Sequence, residues 1–374
     1  VTGTPPVDAP PVDVVCLGES MVTLLPTRPG RLADVPSFTR TIGGAESNVA
    51  CALAAAGHRA KWVSRVGRDG FGDHLVETIA AYGVDVSAVG RDAARPTGVY
   101  FRTATDRATA AHEVVYYRAG SAASAMSPAT VPYAAVADGR VLHLSGITAA
   151  LSGECLALTR DLTAPRAGRP LVSFDVNFRA GLWRDGRDGR DGSGPRVLLD
   201  LARGADLVFV GEDEAEEAWG VVGPEAVRGV LPEPEVLVVK RGGRGAVVFE
   251  RRAGTGTGTG EGASAEDTVT AAPHADTVTF AAAPRVDVVA PVGAGDAFAA
   301  GFLSGTLRGL PVRDRIRHGH LMAAAALTVP GDLGAPAAPA HADRLVALDD
   351  EGWGRLHLAP GWTRTGEDQE VRTP

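Results

Sequence analysis

Cysteine is scarce in this 374-residue chain: Cys16, Cys51 and Cys155 are far apart and each sits in an apolar setting. That excludes a disulfide framework and offers no CxxC metal site, so buried free thiols are expected. Runs of Lys or Arg are absent and the formal net charge is −8, which argues against nucleic acid as a partner, because phosphate backbones reward clustered basic side chains. No segment approaches the roughly 18 consecutive apolar residues of a membrane span. Val1 to Pro11 has neither a basic start nor an apolar run of signal-peptide length, so a cytoplasmic protein without a membrane partner is expected. The chain also lacks G-x-x-x-x-G-K-[ST], and the Gly/Thr alternation from Gly254 to Gly260 does not satisfy G-x-G-x-x-G. Walker-type and dinucleotide sites are therefore unsupported.

What is present is a large apolar fraction, 45% of residues, enough to bury a substantial core. Buried-strand patterns alternate with helical spacing. Val12 to Leu17, Ala60 to Val66, Val141 to Gly146, Leu171 to Arg179, Asp206 to Val210 and Val236 to Val239 read as strands, with helices between several of them. Such alternation predicts an α/β fold, a doubly wound, mostly parallel sheet flanked by helices. Between Thr97 and Ser124 the pattern changes to two alternating segments, read as a β-hairpin projecting from the main sheet as a small β lid. Asp185 to Gly194 and Gly254 to Gly260 read as loop insertions without chemistry. The main unit spans 12–333, and 335–374, rich in Pro, Ala and charge, reads as a peripheral tail.

The chemistry concentrates at Pro291-Val292-Gly293-Ala294-Gly295-Asp296, led by a strand-like Val286 to Val289 and followed by a helix-like run from Ala299 to Leu310. Two glycines at a helix start let backbone N–H groups approach an anion, and the helix dipole favours negative charge there. Asp296 would weaken static phosphate binding, which points instead to proton chemistry on an attacking hydroxyl; a helix cap is the plainer alternative. A second glycine turn, Gly43-Gly44, precedes a helix, with Asn48 offering an amide to sugar hydroxyls. Asp175, Asn177 and Arg179 stand at the carboxyl end of a strand, where open α/β sheets bind ligands. Val236 to Val247, with Lys240, Gly242 and Gly245, reads as a strand, a glycine turn and a strand: a simple hairpin, or a flat glycine surface against which a nucleotide could lie. His318 and His320, two apart, fall on different helix faces and do not form a metal pair.

Gly43-Gly44-Ala45 with Asn48, Asp175-Val176-Asn177-Phe178-Arg179, Lys240-Arg241-Gly242 with Gly245, and Gly293-Ala294-Gly295-Asp296 follow the order seen in ribokinase-like sugar kinases. With Gly18-Glu19-Ser20-Met21, Gly98-Val99-Tyr100 and Tyr116 to Ser124, the chain most resembles 2-keto-3-deoxygluconate kinases. The resemblance implies ATP-dependent phosphorylation of a sugar acid on its terminal hydroxyl. It implies Asp296 as base, and Gly293, Ala294 and Gly295 as anion hole. Gly44, Asn48, Tyr100, Tyr116, Arg118, Ile147, Arg179 and Asp296 become substrate contacts. Lys240, Gly242, Gly245 and the Gly293–Gly295 turn become the ATP side. Mg²⁺ would be contacted by Glu214 through water, although Gly211 replaces the asparagine of the family's N-x-x-E motif. Ala290 stands where the family usually has an aspartate, which argues against activation by a monovalent cation such as K⁺. A substrate carboxylate gives Arg118 and Arg179 a purpose. The alternatives are a neutral-sugar or nucleoside kinase of the same fold and a noncatalytic ligand sensor. An exposed lid or sheet edge would favour a homo-oligomer.

Overall fold

The structure, a computed structural model, describes residues 12–28, 30–102, 114–183, 193–251 and 276–364. Thirteen strands make two sheets: β1 Val12–Leu17, β2 Met21–Pro26, β3 Phe38–Gly43, β4 Ala60–Gly67, β5 Val89–Asp92, β6 Val99–Arg102, β7 Val114–Tyr117, β8 Gly139–Ser145, β9 Leu171–Asp175, β10 Leu207–Gly211, β11 Val236–Lys240, β12 Ala246–Arg251 and β13 Asp276–Ala281. The large sheet runs β13-β12-β11-β10-β9-β8-β1-β4-β5. It is parallel from β11 to β5, and β12 and β13 pair antiparallel at one edge.

Period-2 alternation divides the apolar residues of β1 between the two faces: Val15 and Leu17 enter one core, Val14 and Cys16 the other. Helices Gly153–Thr163 and Gly194–Arg203 cover the first face. Helices Ala45–Ala55, Ala294–Leu307 and Val312–Leu327 cover the second. The chain leaves β1 toward β4 and β5, then crosses back to β8 and proceeds in the other direction. The strand order therefore reverses at β1, and a crevice opens at the carboxyl ends of β1 and β8.

The segment expected to be a lone hairpin on the main sheet is half of a separate four-stranded sheet, ordered β3-β2-β6-β7. β2 is central, antiparallel to β3 and parallel to β6. Four-residue β6 and β7 would be marginal by themselves, and β2 and β3 supply the missing hydrogen bonds and apolar surface. The stretch joining β6 to β7 lies outside the described residues, as do the Gly254–Gly260 run, Val1 to Pro11 and most of the Asp185 to Gly194 insertion.

Two further differences concern the C-terminal half. The strand-like lead into Gly293 shrinks to Arg285–Val286, which pairs with His357–Leu358 instead of the main sheet. Residues expected to form a peripheral tail contribute helices Pro339–Val346 and Asp350–Gly354, and Val346, Trp353 and Leu358 build a small third core on Leu321 and Ala324. Arg317 is buried beneath Trp353, 4.6 Å from ring centroid to guanidinium carbon, and pairs with Asp350 at 2.7 Å. Residues 365–374 lie outside the described residues.

Candidate active site

The carboxyl ends of five parallel strands supply one wall of a cleft. Glu19 follows β1, Ile147 follows β8, Asp175 closes β9, Glu214 lies just past β10 and Lys240 closes β11. The small sheet provides the opposite wall with Met21, Tyr100, Arg102, Val114 and Tyr116, and the Pro291–Asp296 turn forms the floor. The cleft measures about 450 Å³, within the range of small-molecule sites.

Every residue expected on the sugar side lines this one cleft: Gly44, Asn48, Tyr100, Tyr116, Arg118, Ile147, Arg179 and Asp296. On the nucleotide side Lys240, Gly293 and Gly295 line it, whereas Gly242, Gly245 and Ala294 do not. Gly242 and Gly245 bound the turn after β11, and a side chain at Gly245, with φ 116°, would strike the Ala281 carbonyl. Packing against β13 alone thus accounts for that glycine.

Helix Ala294–Leu307 starts at Gly293, whose φ of 77° and contact with the Asp332 backbone leave no room for a Cβ. Beside Gly295, by contrast, the nearest group is the Lys240 ammonium, 3.6 Å from where a Cβ would lie. A cation and free helix N–H groups therefore face the same space, a combination suited to phosphate.

Asp296 does not cap its own helix. Its carboxylate accepts from Asn48 Nδ2 at 2.9 Å, and burial, with Asp175 and Asp332 nearby, pushes its pKa up to about 7 against the pull of Asn48 and Lys240. A carboxyl so placed can take a proton near neutral pH. Burial alone would lower Lys240, yet Asp175, Glu214 and Asp296 outweigh it and hold the ammonium above its usual range. Lys240 Nζ reaches both Asp175 oxygens, at 2.9 and 3.1 Å. Asn177 adopts φ 41°, the single positive value among described residues other than glycine, and its buried Oδ1 has no hydrogen-bond partner there. Strain of this kind clusters at ligand sites.

Both arginines expected to meet a ligand carboxylate already have an acidic neighbour. Arg118 Nη2 lies 2.7 Å from Glu19 Oε2, and Arg179 Nη1 lies 3.4 Å from Glu214 Oε1. Their settings differ: the Arg118 side chain is 10% exposed and that of Arg179 53%. Arg118 Nε and Nη2 are both buried without a hydrogen bond among the described residues, Nη2 meeting Glu19 Oε2 only as an ion pair, so the guanidinium keeps unused donor capacity. Glu214 Oε2 also accepts from Gly211 N at 3.0 Å, closing the capping box of helix Glu212–Trp219.

Several charged groups of the site have no local sequence pattern to announce them. Asp332, 5% exposed, pairs with Arg102 at 2.9 Å and accepts from the Tyr100 hydroxyl at 3.2 Å. Glu46 is fully buried in the first turn of helix Ala45–Ala55; Ser145 and Thr148 donate to it at 2.8 and 2.7 Å, and burial raises it to about 7. Glu19 stands in the Gly18-Glu19-Ser20-Met21 motif, but nothing local assigns it a partner across the cleft.

A parallel sheet with a cleft at its switch point, a helix-start turn beside an ammonium and a buried carboxylate suit phosphoryl transfer to an alcohol. The comparisons with known proteins specify the class. The model of the pfkB family carbohydrate kinases matches residues 12–338, and the chain belongs to that family; it is an ATP-dependent carbohydrate kinase with the ribokinase-like fold. It is 34% identical over 327 residues to 2-dehydro-3-deoxygluconokinase of Bacillus subtilis strain 168, covering 86% of this chain and 91% of that protein. It is 31% identical over 338 residues to 2-dehydro-3-deoxygluconokinase of Thermoproteus tenax, covering 90% and 94%. Among solved structures, the PfkB protein from Polaromonas sp. JS666 superposes with a TM-score of 0.70 at 32% identity, over 86% of this chain and 97% of that one. Among the described residues no helix is long and apolar enough to cross a membrane.

Proposed function

We propose that this kinase phosphorylates the terminal hydroxyl of a sugar acid, 2-keto-3-deoxygluconate to its 6-phosphate, with Asp296 as general base. The observation that carries the chemistry is the Asp296 carboxylate, held by Asn48 at 2.9 Å beside the Gly293–Gly295 turn with its pKa near 7. It takes the hydroxyl proton as the oxygen bonds to the γ-phosphorus and the bond to the β–γ bridging oxygen breaks to release ADP, while the turn's N–H groups and Lys240 offset charge on the phosphoryl oxygens. The small sheet shields the reacting phosphate from water.

The sugar-acid reading is supported by the unused donor capacity of the buried Arg118 guanidinium in the cleft wall and by the two relatives named 2-dehydro-3-deoxygluconokinase. Among the described residues no cluster of three metal-ligating side chains exists. Asp175 and Glu214 nonetheless bring carboxylate oxygens to the cleft beside Lys240, a donor set suited to Mg²⁺ that arrives with ATP and keeps waters. Glu214 would hold that ion through water, and the ion would neutralise charge on the bridging phosphate oxygens.

A neutral-sugar kinase is the second reading, favoured by the acidic neighbours of Arg118 and Arg179, which reduce the cleft's demand for an anion. A panel of sugar acids, ketoses, pentoses and nucleosides with coupled ADP detection decides between the two.

A further inference from the structure

Glu19 has no part in the proton transfer, yet it is one of the most enclosed carboxylates of the cleft wall, 3% exposed. It directly follows Gly18 at the carboxyl end of β1, in the main sheet. The groups it engages come from the other side of the cleft, just after β7: Ser121 Oγ donates to Oε1 at 2.9 Å, and Arg118 Nη2 meets Oε2 at 2.7 Å. The guanidinium is also placed over the Tyr116 ring, 5.5 Å from its centroid. Gly98 leaves space for this arrangement, since a Cβ there would come within 3.2 Å of Glu19 Oε1.

A guanidinium is planar and rigid, so fixing one edge fixes where its remaining N–H groups point. We propose that Glu19 is a positioning residue that acts through Arg118, orienting the guanidinium so that the donors it does not turn to Glu19 meet the carboxylate of the sugar acid. The claim rests on the sugar-acid reading above. Because Glu19 also compensates the charge of Arg118, recognition depends on the direction of the donors more than on surplus positive field.

This division gives the test a distinctive sign. Removing a negative charge beside Arg118 would, on Coulomb grounds alone, tighten the binding of an anion. Glu19→Gln keeps an oxygen in place to orient Arg118 and loses the charge, so its KM for 2-keto-3-deoxygluconate is expected at or below that of the wild type. Glu19→Ala removes the anchor and is expected to raise that KM about tenfold or more, with kcat changed less than about threefold. Glu19→Asp, which keeps the charge and withdraws the carboxylate by one methylene, is expected to raise KM as well and serves if the alanine variant does not fold. In an Arg118→Ala background neither Glu19→Ala nor Glu19→Asp should change KM by more than about twofold, because the residue they misplace is gone.

Equal increases in the wild-type and Arg118→Ala backgrounds would overturn the proposal, showing that Glu19 merely ties down the loop. Unchanged KM in both Glu19→Ala and Glu19→Asp would overturn it too. If Arg118→Ala alone leaves the sugar-acid KM unchanged, the carboxylate reading fails first and the positioning claim falls with it. That single variant separates the two failures.

Discussion

Asn48 and Asp296, 248 residues apart in sequence, are joined by a 2.9 Å hydrogen bond that links the starts of two helices across the floor of the cleft. The amide fixes the rotamer of the carboxylate and leaves its other oxygen for a substrate hydroxyl. Because Asn48 favours the ionised form while burial and the Asp175 and Asp332 charges oppose it, the carboxyl is balanced near neutrality.

Asp296→Asn preserves shape and can still accept from Asn48, but it cannot take a proton. It is expected to lower kcat by about 10²- to 10⁴-fold while the dissociation constant for ATP, measured by calorimetry, changes little. Retention of most of kcat would remove Asp296 from the base role.

The pH dependence follows from the same carboxyl. A base must be ionised, so kcat/KM is expected to fall about tenfold per pH unit below the Asp296 pKa of about 7. The stability effect has the opposite sense: a carboxyl whose folded pKa is raised binds its proton more tightly when folded, so its contribution declines as pH rises from the unfolded value toward about 7. Asp296→Asn should therefore raise the melting temperature relative to wild type more at pH 8 than at pH 5. Glu46→Gln should do likewise, since burial also raises Glu46 to about 7 and its amide oxygen can accept from Ser145 and Thr148.

The two arginines should not weigh equally. Arg118 is enclosed and Arg179 is half exposed beside Glu214, so solvent screens the second. Arg118→Ala is expected to lower kcat/KM for the sugar acid by tens to thousands of fold, and Arg179→Ala by about tenfold or less. Steady-state kinetics on the two variants check the order; a larger loss at Arg179 would reverse it.

Chelation should abolish turnover, and Mg²⁺ should restore it, because the nucleotide phosphates need a hard cation. Exchange of K⁺ for Na⁺ or a bulky organic cation should change kcat less than about twofold. Ala290 offers no carboxylate at the position the family fills with aspartate, and its backbone N–H is directed at the Leu327 carbonyl. Activation by K⁺ of about tenfold or more would show that backbone carbonyls suffice.

The parts legible in the sequence were those with short-range physics. Apolar runs and glycine stops located the parallel strands and helices, and the Gly293–Asp296 turn announced its helix start. The cleft's internal charge pairs were not legible, because Glu19 with Arg118, Asp332 with Arg102 and Asp175 with Lys240 meet only after the sheets assemble. Glu46 has no cue in the sequence, since nothing local shows that Ser145 and Thr148 will enclose it. The small sheet was half legible: Val99–Arg102 and Val114–Tyr117 alternate visibly, whereas the parallel pairing of β2 with β6 is a long-range contact. In the segment after Ala335 the Pro and charge content hides Val346, Trp353 and Leu358, the few apolar residues that anchor its described part on Leu321 and Ala324.

The central claim is that this kinase acts on a sugar acid, and a direct competition measures it best. Wild-type enzyme with ATP and Mg²⁺ is given 2-keto-3-deoxygluconate or fructose, and kcat/KM is read from ADP release with product phosphorylation confirmed by mass spectrometry. A preference for the acid of tens of fold or more is expected, because the buried Arg118 donor pairs with its carboxylate and stays unpaired with fructose. Equal or better turnover of fructose would contradict the account and establish the neutral-sugar reading in its place.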